Sequence, residues 1–127
     1  MVSEQVRRTL LGFQINEITE HIVYGVLARK TKGKNAEVLK RISDDELRHY
    51  NEWREYTQVD VPRNRLAVLK FLIISKIFGL TFVMKMMEGG EVRAEEVYTE
   101  VTNAVPRAKD ILQEEIEHEK LLVNMNR

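Results

Sequence analysis

Apolar residues recur at intervals of three and four along almost the whole chain, and no segment alternates with a period of two. Residues three and four apart share one face of a helix, so the pattern predicts an all-α protein. The first helix is expected from about Ser3 to Lys30, with Ser3 as its cap. The stretch 31–35, TKGKN, reads as a short turn in which Gly33 takes the left-handed conformation that ends a helix. A second helix follows from about Asn35 to Thr57. Pro62 then marks a break, and it suits the first turn of the next helix better than any interior position. Residues 63–103 are too many for one ordinary helix. A connecting helix near 63–77 and a further helix near 78–103 are expected, with Gly89-Gly90 a break or kink. Asn103, a possible cap, and Pro106 mark the entry to a last helix at about 105–125.

The polar residues that interrupt this pattern repeat. Glu17 is followed seven residues later by Tyr24, and then by the Glu-x-x-His pair Glu46 and His49. Glu91 is followed seven residues later by Tyr98, and then by a second pair, Glu115 and His118. Two of the three histidines are used in these pairs, while about one residue in eight is glutamate. One Glu-x-x-His alone would therefore mean little. Two, each with a glutamate at the matching place, carry a signal. Each pair presents a carboxylate and an imidazole on one helical face. In the first half, Glu17 and Glu46 each stand about 15–20 Å along their helices from the turn that joins them, so their levels agree.

Composition narrows the chemistry. The chain has 127 residues, enough for one domain spanning 1–127. Its formal net charge is zero, which argues against a general nucleic-acid binder. There is no cysteine. This excludes disulfides, thiolate zinc, iron–sulfur clusters and a thiol nucleophile, and it suits a reducing compartment. The N-terminal stretch lacks the long apolar run and small-residue cleavage site of a secretory signal. Residues Leu66 to Met87 are the most apolar in the chain, yet Lys70, Lys76 and Lys85 interrupt them. A buried helix is the better reading than a membrane span.

Four carboxylates and two imidazoles converging between helices are the inventory of a dinuclear iron site, with manganese or zinc as alternatives. Four glutamates neutralise two divalent ions. Glu46 and Glu115 are placed to bridge, Glu17 and Glu91 to terminate, and His49 and His118 to complete the two sides. Glu20, one turn beyond Glu17, is a further ligand or proton relay without a counterpart in the second half, where Ala94 stands. Tyr24 and Tyr98 are either core residues or electron donors beside the metals. His21 is a reserve ligand, with Glu95 at its matching place. Met84, Met86 and Met87 read as core filler.

At NEITEHIVYGVLA, ISDDELRHYNEW, FGLTFVMKMMEGGE and LQEEIEHEKLL the chain resembles the rubrerythrin branch of the ferritin-like superfamily. It looks closest to the N-terminal ferritin-like domain of prokaryotic membrane proteins related to vacuolar iron transporters. The resemblance implies a four-helix bundle with a helical crossover between helices 2 and 3. It implies a di-iron centre, held by the six residues above, that oxidises iron(II) with oxygen or hydrogen peroxide, or reduces peroxide. Typical rubrerythrins add a four-cysteine rubredoxin module, which this sequence lacks. Electrons would then come from iron(II) itself or from a separate protein.

The expected function is a ferroxidase or peroxidase in iron handling or oxidative-stress protection. Two other classes stay open: an iron-sensing or iron-delivering module for a membrane transporter, and a metal-free helical interaction protein. A homodimer is expected from the apolar surplus of Leu66 to Met87, with exchange of helix pairs as one form of it. The expected location is cytoplasmic, at the inner face of the membrane if the chain belongs to a longer transporter protein.

Overall fold

The computed structural model describes residues 3–78 and 101–125, without the side chains of 74–78, 119 and 123. Among the described residues all regular structure is helical. Four helices are delimited: α1 (Glu4–Arg29), α2 (Gly33–Thr57), α3 (Arg65–Phe78) and α4 (Ala108–Val123). Val101 and Thr102 are helical as well. The expected helix near 78–103, Gly89-Gly90, Glu91, Ala94, Glu95, Tyr98 and the three methionines from 84 to 87 lie outside the described residues, apart from that helix's last turn. The chain divides into two compact units, Met1–Ile73 and Ile74–Arg127.

In the first unit, α1 begins where Ser3 Oγ accepts the Val6 N–H at 3.2 Å, the cap expected there. It ends at Arg29, with the Lys30 N–H turned back onto the Val26 and Leu27 carbonyls. Gly33 does take a left-handed backbone, at φ 71°. It opens α2, however, and does not close α1, so α2 starts two residues earlier than the pattern suggested. Glycine reaches this angle without a Cβ penalty, which lets a three-residue loop reverse the chain.

α1 and α2 pack antiparallel. Gly25 faces Ser43, Glu17 meets His49 and Phe13 meets Trp53, so partners climb one helix as they descend the other. A Cβ on Gly25 would come within 3.2 Å of Ser43 Oγ, so the glycine permits the close approach of the two helices. There Ser43 Oγ donates to the His21 carbonyl at 2.7 Å, and His21 Nδ1 donates to the Ser43 carbonyl at 2.7 Å. Leu10, Leu27, Leu39, Ile42, Tyr24 and Trp53 are buried within this unit. Each aliphatic side chain of this kind contributes about 1.5–3 kcal/mol on leaving water.

Residues 58–64 leave α2 through Gln58, whose left-handed backbone (φ 63°) ends the helix. The strand of chain is tied down along its length. Gln14 Nε2 donates to the Val59 carbonyl at 3.0 Å, the Tyr50 hydroxyl accepts the Val61 N–H at 2.9 Å, and Thr19 Oγ1 accepts the Asn64 N–H at 2.9 Å. Gln14 Oε1 also accepts from Thr57 Oγ1. Asn64 is the cap of α3, its Oδ1 accepting the Ala67 N–H at 3.0 Å. This cap sets the helix start at Arg65, so Pro62 lies in the linker and not in the first turn. α3 does not present a wholly buried surface: Leu66, Leu69 and Ile73 are exposed.

In the second unit, Val105 N–H bonds back to Val101, closing a helical stretch, and Pro106 follows in a turn. α4 therefore starts at Ala108, three residues later than expected. Asn103 lies in the turn and does not cap it; the residue before the helix is Arg107, which makes no side-chain cap.

Candidate metal centre

The polar residues singled out by the repeat occupy core positions. On α4 the buried positions run Ala108, Ile111, Glu115, His118 and Leu122, an unbroken stripe of three- and four-residue steps. On α2 they run Leu39, Ile42, Glu46, His49 and Trp53 at the same steps. On α1, Glu17 lies between Phe13 and Gln14 on one side and Tyr24 and Leu27 on the other. Acidic residues seldom fill such places unless something compensates their charge. Glu46 and His49 are fully buried, and Glu17 is 4% exposed.

The hairpin of α1 and α2 brings three donors together. His49 Nδ1 lies 3.2 Å from Glu17 Oε2 and 3.3 Å from Glu46 Oε1. Metal–ligand bonds of about 2.0–2.2 Å at right-angled to tetrahedral directions leave neighbouring donors about 3.0–3.5 Å apart. The observed separations fall in that range. On α4, His118 Nδ1 lies 3.9 Å from Glu115 Oε2, within its own Glu-x-x-His turn. Within the first unit Glu17, Glu46 and His49 each offer one buried ligand atom, and these atoms lie within 4.8 Å of one another. A buried cluster able to bind a metal therefore exists.

The donor set of this unit is two carboxylates and an imidazole, which suits hard to borderline divalent ions such as iron(II), manganese(II) or zinc, and not copper(I). Buried carboxylates cost several kcal/mol each unless positive charge and hydrogen bonds answer them, and a divalent cation supplies such charge. The residues present fit a metal.

The other expected site residues fall into separate groups. Tyr24 is fully buried on α1, two turns from Glu17. Glu20 is half-buried, one turn from Glu17, and is not among the three donors that converge in the first unit. His21 is not a ligand in this arrangement: its Nδ1 is engaged by Ser43 across the helix pair. Glu91 and Tyr98 lie outside the described residues. One side of the site carries a feature that the sequence pattern missed. Phe13 and Trp53, four residues from Glu17 and His49, pack with ring centres 5.4 Å apart, and Gln14 and Thr57 form a buried polar contact one step further on. Their places in the same stripes as Glu17 and His49 were the available signal.

No protein-family model, no curated protein and no solved structure matches the chain.

Proposed function

We propose that this protein is a ferritin-like di-iron carboxylate protein that oxidises iron(II) with oxygen or hydrogen peroxide. The observation that carries the reading is the convergence of buried Glu17, Glu46 and His49 within the first unit. Support also comes from the placement of each Glu-x-x-His pair in a core stripe of its helix. In this reading Glu91 and His118 complete a symmetric set of six ligands.

Bound iron would supply one-electron redox chemistry at this position. Oxidation of two iron(II) to iron(III) would supply the two electrons that, with two protons, reduce one hydrogen peroxide to two waters; one dioxygen would require four of each. The chain's own residues do the rest. Glu17, Glu46 and His49 would hold metal from the first unit, and Glu115 and His118 are the residues of the second that would join them in this reading. Buried Phe13, one turn before Glu17, and Ile42, one turn before Glu46, flank the carboxylates on their helices and help keep bulk water from them. Glu20, half in contact with solvent, is placed to pass protons or ions between the carboxylates and the surface. Tyr24 stands about 10 Å along the helix from Glu17, where it serves as an internal electron donor.

The test is metal analysis followed by stopped-flow mixing of the iron(II)-loaded protein with oxygen or peroxide. Two irons per chain and repeated fast turnover are expected. Glu20→Ala should keep the metals and oxidise iron(II) more slowly. One slow oxidation event per site would instead indicate an iron-delivering module, and absence of bound metal would defeat the reading.

A further inference from the structure

All 20 acidic residues of the chain lie outside residues 61–87, while Arg63, Arg65, Lys70, Lys76 and Lys85 lie inside. In a chain of zero net charge this makes the segment a local concentration of positive charge. α3 runs through its first half. Its outward face is apolar at the centre: Leu66 is 79% exposed, Leu69 55% and Ile73 47%. These three follow steps of three and four, so they form one stripe along the helix. Arg65 and Lys70, both exposed, fall to either side of the stripe when the helix is viewed end-on. Ala67, Val68, Phe71 and Leu72, on the opposite face, are half-buried.

We propose that this face of α3 docks on an anionic lipid surface. Three large aliphatic side chains in a row fit shallow entry into the acyl boundary, and flanking cations with long aliphatic stems fit the headgroup layer beside it. Among the described residues no helix is long and apolar enough to cross a membrane, and the proposal is of α3 lying along the surface. Charge selects this occupant over a second copy of the chain. Pairing the stripe with itself would set Arg65 and Lys70 against the same cations of the other copy, with no acid between residues 61 and 87 to answer them. Phospholipid headgroups of negative charge supply the missing complement. The inference is independent of the metal site.

Vesicle co-sedimentation of the whole protein tests it, using phosphatidylcholine alone and phosphatidylcholine mixed with phosphatidylglycerol. Binding to the mixed vesicles, weaker by about tenfold or more on phosphatidylcholine alone and at raised salt, is expected. The double variant Leu66→Glu with Leu69→Glu should lose binding. Arg65→Glu with Lys70→Glu should weaken it about tenfold or more. Both should keep the wild-type helical circular dichroism and metal content, because every substituted residue is exposed. Equal binding to both vesicle types, binding unchanged in either variant, or no binding at all overturns the proposal. So does a concentration-dependent dimer in analytical ultracentrifugation that Leu66→Glu with Leu69→Glu dissolves, since the stripe would then belong to a second copy.

Discussion

At the scale of single residues, a carboxylate that is costly without metal becomes necessary with it. Glu46 is fully buried, with His49 Nδ1 3.3 Å away and the Glu17 carboxylate on the same imidazole nitrogen. Glu46→Gln removes one negative charge while keeping the volume. In metal-free protein it should relieve repulsion and raise stability by about 1–2 kcal/mol, a few degrees in the melting midpoint. With metal present the order should reverse, because the variant can no longer bridge two cations, and bound metal should fall well below that of the wild type. Calorimetry with and without manganese(II), paired with metal analysis, reads both effects. A variant less stable than the wild type in chelator would show that Glu46 is held by protein partners and not waiting for a cation.

At the scale of elements, the helix pair depends on Gly25. Its missing side chain lets Ser43 and His21 exchange hydrogen bonds between the two helices. Gly25→Val should push the helices apart, cost about 1–3 kcal/mol by denaturant unfolding, and weaken metal binding by separating Glu17 from His49. Unchanged metal affinity would mean that the hairpin can splay at this end without moving the donors. The same elements show what was legible in advance. The four described helices followed from apolar spacing, and the convergence of Glu17, Glu46 and His49 from the repeated polar pattern, because both are local periodicities. The boundaries were less legible. α3 starts at Arg65 because Asn64 caps it, and Asn64 is held by Thr19, 45 residues earlier in the chain. His21 looked like a spare ligand by spacing alone; the Ser43 backbone that occupies it is invisible until the helices are packed. The apolar run after Leu66 looked buried because composition does not say which face of a helix turns outward.

At the scale of the whole molecule, folding and metal uptake should be coupled. A ligand that binds only the folded chain stabilises it by about 2.7 kcal/mol at a hundredfold excess over its dissociation constant. For a chain of this length that is roughly 10 °C in the melting midpoint. Manganese(II), which resists oxidation under these conditions, should produce the shift, and chelator should reverse it. Scanning calorimetry at several metal concentrations checks the logarithmic dependence. A midpoint indifferent to manganese(II), iron(II) and zinc would mean that the carboxylates serve no cation.

The hydrogen bond from the Asn64 backbone to Thr19 has a mechanical side. Thr19 is two residues from Glu17, and Asn64 is the first anchor point of α3. A force that tugs α3 toward an outside surface is therefore delivered to α1 at the height of its ligand carboxylate, through one short tether and not through the length of the hairpin.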